Sequence, residues 1–311
     1  MDEPALSDPK GESNGVDWRA MAAEQNEIAR PALYVVATPI GNLEDITLRA
    51  VRVLKQADVI ACEDTRQTQK LLNHYGISTP TTSYHEHNEL TRASELVKQA
   101  EEGRAIALVS DAGMPAISDP GYRLVSLAIR HGIPVIPIPG ASAFVAALAA
   151  SGLPTDSFRF SGFLPAKAGQ RRELLEEIRD SPRTQIFYEA PHRLAETLRD
   201  VVEVLGPERP VVVAREVTKL HEEFIRGRAE DVLGRMGKSE VRGEITLLIG
   251  KTEKIAAAAS TPSTSTSVRA RLAEIMGAQK LDEKAALKVL ARERGISKSE
   301  AYRELQRSKS R

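Results

Sequence analysis

The sequence predicts an α/β protein made of two α/β domains followed by a small C-terminal helical domain. Short apolar runs that end in Pro, Gly or acidic residues alternate with stretches of helical period. That alternation is the mark of a mainly parallel sheet covered by helices. The pattern resets near Ser151-Gly152-Leu153-Pro154, and a chain of 311 residues suits two cores better than one.

Residues 1–30 carry seven acids against three bases and few large apolar side chains, so they read as a disordered acidic tail. The first domain, 31–150, opens with the strand Leu33–Thr38, stopped by Pro39 and Gly41. Leu48, Val51, Val53 and Leu54 follow at helical spacing, then the strand Asp58–Cys62 and a helix over Thr65–Tyr75 closed by Gly76. A helix over Thr91–Glu102 stops at Gly103. The strands Ala105–Ser110 and Pro134–Ile138 flank a helix over Tyr122–Arg130, and a small-residue helix Phe144–Ala150 ends the domain. In 151–250, the strands are Arg159–Leu164, Thr184–Tyr188, Val211–Ala214 and Ile245–Ile249, with helices over Arg171–Arg179 and Arg193–Leu205. A hairpin-like stretch, Glu222–Arg228, makes this second sheet more mixed. Residues 251–267 are rich in Ala, Ser and Thr and read as a linker. Residues 268–311 return to helical period, with Asp282 and Ser297 as caps around a Gly295 turn, in a helix-turn-helix-like pattern.

Composition narrows the function. Lys+Arg and Asp+Glu balance at 43 each, yet 268–311 alone holds twelve bases against six acids. That basic module suits an anionic partner or a solvated appendage. One cysteine excludes a disulfide framework and a Cys-rich zinc module. Aromatic residues at 4% argue against stacking platforms for bare single strands as the main binding device. No apolar run is long enough to span a bilayer and no signal pattern opens the chain, so the expectation is a soluble, cytoplasmic protein without a membrane partner.

Five segments at predicted strand ends carry the chemistry. Thr38–Leu43 is a Pro/Gly turn at the carboxyl end of the first strand, where open sheets bind ligands. Ser110–Gly121 is a connection far longer than an ordinary βα loop, with Asp111 and Asp119 as hydrogen-bond acceptors or turn caps. Pro137–Ala143 enters a helix whose first N–H groups suit an anion, unless Ser142 caps them. Phe187–Arg193 gathers Glu189, His192 and Arg193, and Ala214–Glu223 gathers Arg215, Glu216 and Lys219. The first reads as acid/base or phosphate chemistry or as caps and surface residues, and the second as a strand-end site or a solvated loop. Cys62 reads as a buried structural thiol. His85 and His87 share a face of a predicted strand, but no third metal ligand stands out.

Taken in order, these segments resemble one family. Thr38–Leu43 with Asp45 and Thr47, Glu63–Arg66, Tyr84–Glu89, Ser110–Gly121, Pro139–Ala143, Glu189–Arg193 and Ala214–Glu223 resemble the 16S ribosomal RNA cytidine 2′-O-methyltransferases of the tetrapyrrole methylase (class III) superfamily. The resemblance covers about 31–250 and extends to the small C-terminal domain. It implies S-adenosylmethionine in a cleft between two α/β domains, a homodimer, and 16S rRNA of the small subunit as partner, with no metal. The cofactor side would be Ser110, Asp111, Ala112, Gly113, Met114, Ile117 and Ser118, with Tyr188, Glu244, Ile245 and Thr246. Ser110-Asp111-Ala112 stands where the superfamily has Gly-Asp-Pro. The substrate side would be Pro39, Gly41 and Asn42, with Arg66, Arg193 and Arg215 as cations. A ribose hydroxyl must lose its proton as it attacks, so Glu189, His192, Glu216 and Lys219 are the candidate catalytic residues, Lys219 as a base only with a lowered pKa. The competing readings are a corrinoid-precursor or protein methyltransferase, and a non-catalytic RNA-binding assembly factor.

Overall fold

The computed structural model describes residues 27–236, 241–251, 272, 275–277, 282–293, 301–303 and 305. Residues up to Thr252 form one compact unit and Glu253–Arg311 a second. The linker beyond Lys251, the Gly295 turn, Ser297 and most of the acidic tail lie outside the described residues. Of the C-terminal unit, the helix Glu283–Glu293 is described; Asp282 caps it by accepting from Ala285 N, and Leu287 and Leu290 pack with Leu272, Ile275, Ala301 and Leu305.

The first sheet holds β1 (Ala32–Val36), β2 (Val59–Cys62), β3 (Thr81–Ser83), β4 (Ala105–Leu108) and β5 (Val135–Ile138) in the order β3-β2-β4-β1-β5, all parallel. Helices α1 (Leu48–Gln56), α2 (Thr65–His74), α3 (Glu89–Glu101) and α4 (Tyr122–Arg130) connect them. Tyr34, Val36, Ile60 and Cys62 face one core with α1, while Leu33, Ala61, Ile106 and Leu108 face another with α3 and α4. Burial on both faces explains why these strands read as unbroken apolar runs.

Helix α5 (Ala143–Ser151) leads to the second sheet. That sheet holds β6 (Phe158–Phe163), β7 (Thr184–Glu189), β8 (Pro210–Arg215), β9 (Glu223–Arg228) and β10 (Ile245–Ile249) in the order β6-β7-β10-β8-β9. Only the β6–β7 pair is parallel. Helices α6 (Ala168–Glu177), α7 (Leu194–Leu205) and α8 (Ala229–Met236) cover one face around Leu175, Phe187, Leu198, Val213 and Leu247. The other face receives α5 through Ala147 and Leu148, and also Ile40 from the turn after β1. One apolar cluster thus joins the two halves. The buried pair Arg171–Asp200, at 2.6 Å, ties α6 to α7.

The structure corrects several expectations. Order begins before residue 31: Ile28 N donates to Gln56 Oε1 and packs near Val53 and Leu54, and Arg30 pairs with Asp58. Strand β3 and helix α8 went unforeseen because β3 is short and half-buried and α8 directly follows the β8–β9 hairpin. His85 and His87 lie in a turn rather than on a strand, since Asn88 Oδ1 accepts from His85 N and pulls the chain round. Among the described residues no group of three His, Cys, Asp or Glu is placed to hold a metal ion. No described helix is long and apolar enough to cross a membrane.

Candidate active site

The site is built where the carboxyl end of the first sheet meets the second sheet. Loops after β1 and β4 are stitched together: Thr38 N donates to Gly113 O at 2.9 Å, Gly113 N returns to Thr38 O at 3.1 Å, and Thr38 Oγ1 donates to Ser110 O. The rest of the β4 loop folds tightly. Ala116 and Ser118 take φ values of 67° and 63°, unusual for residues with a side chain. Gly121 has φ 153°, and a Cβ there would lie 2.9 Å from that of Ala116. Strain of this kind gathers at ligand clamps.

The loop forms one wall of a cavity of about 390 Å³. Ala112, Gly113, Met114, Ile117 and Ser118 line it, together with Tyr188, Ile245 and Thr246 of the second sheet. The sequence-predicted cofactor residues thus converge on one space, except Ser110, which is buried beneath the loop, and Asp111, which faces a neighbouring cavity. Ser142 and Ala143 also line it; Ser142 makes no side-chain cap on α5. The scarce aromatics collect here: Tyr188 meets Phe160 and Phe163 edge-on, and Phe160 stacks on Phe144.

Three carboxylates line this cavity, Glu189, Asp119 and Glu244. Glu189, fully buried, accepts from Ala190 N, from Arg193 Nη2 at 2.6 Å and from Thr197 Oγ1 at 2.6 Å. Those donors occupy it, so Glu189 and Arg193 act as a clamp on the 190–193 turn, not as the base and free cation the sequence suggested. Asp119 has no ion pair among the described residues, and burial, aided by Glu63 and Asp111, pushes its carboxyl up to about 7. Burial also raises the Tyr188 hydroxyl, with Asp119 adding to it.

A second cavity of about 450 Å³ adjoins the first and shares Ile40, Ala112 and Glu244 with it. Pro39 and Gly41 line it, as do Lys219, Gln67 and Lys70. Asn42 N donates to Thr218 Oγ1, and a Cβ on Gly41 would lie 2.3 Å from Lys219 Cγ, so the β1 turn rests directly on the 214–223 loop. Lys219 Nζ lies 2.9 Å from Glu216 Oε1 and 3.1 Å from Glu244 Oε2. Burial pulls the Lys219 pKa down, but these two carboxylates outweigh it and raise it. Lys219 is therefore a fixed cation and not a base. Glu216, with φ 53°, accepts from Glu244 N at 2.8 Å, and this bond, reinforced by Lys219, holds its carboxyl below the ordinary range.

The remaining candidates stay outside both cavities. His192 is exposed on the 3-10 turn Pro191–Arg193. Arg66 is exposed and pairs with Asp64, and Arg215 pairs with Glu223 at 3.1 Å. Sequence reasoning did not single out Gln67 or Lys70; their i, i+3 spacing just after the β2 strand end is the signal that was available. Glu244, which the resemblance put in the cofactor cleft with Ile245 and Thr246, lines both cavities.

Paired α/β layers whose strand-end loops enclose an apolar cavity beside a more polar one have the form of an enzyme that binds a small cofactor next to its substrate. Residues 32–233 match the family described as Tetrapyrrole (Corrin/Porphyrin) Methylases, and the chain belongs to that family. It is a methyltransferase with S-adenosylmethionine as methyl donor. The chain is 58% identical to "Ribosomal RNA small subunit methyltransferase I" of Halalkalibacterium halodurans, over 72% of this chain and 77% of the relative. It is 48% identical to the protein of that name from Thermotoga maritima, over 71% and 99%. Among solved structures, uroporphyrin-III-C-methyltransferase from Thermus thermophilus matches at 25% identity and a TM-score of 0.50, over 71% of this chain and 95% of that one. Diphthine synthase, at 14% identity, TM-score 0.57 and coverage of 71% and 90%, shares the fold.

The residues present fit S-adenosylmethionine. The cavity is of ordinary ligand size. Ile40, Met114, Ile117 and Phe163 offer apolar surface, and Asp119 is a half-buried carboxylate left unpaired for a cationic ligand.

Proposed function

We propose that the protein transfers a methyl group from S-adenosylmethionine to the ribose 2′-hydroxyl of a cytidine in 16S rRNA of the small ribosomal subunit. The observation that carries this reading is the pair of contiguous cavities, with the Lys219 ammonium on the wall of the second. The curated relatives, by their names, act on small-subunit ribosomal RNA, and an RNA ribose is the substrate that needs such a cation.

The bound cofactor supplies an electrophilic methyl on a sulfonium. Ile40, Met114, Ile117, Phe163 and Val217 exclude water around it, and Asp119 complements its charge. Lys219 stabilises the negative charge that grows on the 2′-oxygen, and its fixed position means little reorganisation during the reaction. Glu244 lies on both cavities with Oε2 held by Lys219, so Oε1 accepts the hydroxyl proton and passes it to solvent. Glu216 holds Lys219 in place. The reading includes a homodimer in the cytoplasm and a role for 268–311 in seating the RNA, so deletion of that segment weakens RNA binding and lowers its salt dependence.

The test is transfer of labelled methyl from S-adenosylmethionine to 30S particles, followed by nucleoside analysis. 2′-O-methylcytidine is the expected product; methylation on a base or on a corrinoid precursor alone overturns the reading.

A further inference from the structure

The second cavity does more than shelter a ribose. Leu43, Leu71 and Pro39 give it apolar surface, and hydrogen bonds orient two exposed polar side chains on it. Asp111 Oδ1 accepts from Asp64 N at 3.2 Å, which pins the carboxylate and leaves Oδ2 free to accept. Gln67 Oε1 accepts from Lys70 Nζ at 2.7 Å, which sets the amide so that Nε2 remains to donate. Asp64 is the N-cap of α2 and Gln67 lies in its first turn, so the N–H that holds Asp111 and the Gln67 amide belong to the same turn.

We infer that this cavity reads the base of the target nucleotide: Asp111 accepts from an exocyclic amine while Gln67 Nε2 donates to the ring acceptor beside it. The inference rests on the ribose-methylation reading, which brings a nucleotide to this place. Cytosine and adenine present an amine next to an acceptor on their pairing edge. Uracil sets a carbonyl oxygen against the carboxylate and its N3–H against the Gln67 donor, and guanine also sets an N–H against that donor. Between the two bases that fit, the ribose-methylation reading takes cytosine. A base can reach such a pocket only when extruded from its stack, and the open, partly apolar surface suits that. Lys70 is a positioning residue that acts through Gln67.

The test uses 30S particles carrying cytidine or uridine at the methylated position, with the wild-type enzyme, Asp111→Asn and Gln67→Leu. Asn keeps the oxygen that accepts from Asp64 N but turns the other atom into a donor matched to uracil O4. The wild type prefers cytidine. Asp111→Asn shifts kcat/KM toward uridine by about tenfold or more, the scale of one base contact, while S-adenosylmethionine affinity stays unchanged. Gln67→Leu lowers kcat/KM for cytidine with the same affinity for cofactor. Equal wild-type rates on the two bases, or an unchanged preference in Asp111→Asn, overturn the subsite while ribose methylation stands. Absence of any ribose methylation by the wild type overturns both.

Discussion

Two of the carboxylates that line one cavity meet opposite fates. On the second-sheet side, the turn after β7 surrounds Glu189 with an arginine, a hydroxyl and a backbone N–H. On the first-sheet side, the loop after β4 half-buries Asp119 beside other acids and gives it no cation among the described residues. Pairing turns a buried charge into a structural fixture, and withholding a partner leaves a charge that titrates near neutral pH. Lys219 shows the first behaviour with the opposite sign, clasped between Glu216 and Glu244.

The comparison breaks first at Glu189. Glu189→Ala strands the partly buried Arg193 guanidinium and lowers stability by roughly 3–5 kcal/mol in chemical denaturation. A variant that stays as stable as the wild type yet loses methyl transfer would make Glu189 a catalytic group after all.

Lys219→Met comes next. It removes the charge that faces the developing oxyanion, so kcat falls by about 10²- to 10³-fold with cofactor affinity kept within about twofold. Lys219→Arg recovers part of the loss. A kcat that rises with pH as a free amine forms would restore Lys219 as a base, against the two carboxylates that keep it protonated.

Gly41→Ala acts on the same lysine from across the cleft. The new Cβ meets Lys219 Cγ and Thr218 Oγ1, so the lysine must shift. Steady-state kinetics should show a fall of about tenfold, since small displacements of a catalytic group are costly. In Lys219→Met the same change should add little, because the two act on one element.

Much of this was legible in the sequence. Strand ends were readable because Pro, Gly and acidic residues stop each apolar run, as Pro39 and Gly41 stop β1. Hence Ala112, Gly113, Met114, Ile117, Ser118, Tyr188, Ile245 and Thr246, read as one group from the strand ends, line one cavity. Charge states were not legible. Nothing local to Glu189 announces that Thr197, in the first turn of the next helix, donates to it, or that Glu244, far along the chain, reaches Lys219. Pairing is a tertiary property, so residue types at a strand end name the chemistry but not which group performs it. Gln67 and Lys70 were missed because they read as an ordinary solvated helix face.

Asp119→Asn is the mildest change and tests the unpaired wall directly. The carboxyl sits at 3.8 ordinarily and at about 7 in the folded protein, so between those values the native state keeps a proton that the unfolded chain has released. Stability therefore falls as pH rises through that window, and Asp119→Asn flattens the slope in melts taken from pH 4 to 8. Binding follows the opposite course. The methyl donor carries a sulfonium that its demethylated product lacks, so the ionised carboxylate favours donor over product. In calorimetry the donor-to-product affinity ratio should rise a few-fold from pH 6 to pH 8 in the wild type and stay level in Asp119→Asn. A ratio that does not change with pH in the wild type would mean that Asp119 faces the cavity without touching the charge inside it, and the contrast between the two carboxylates would then be one of folding alone.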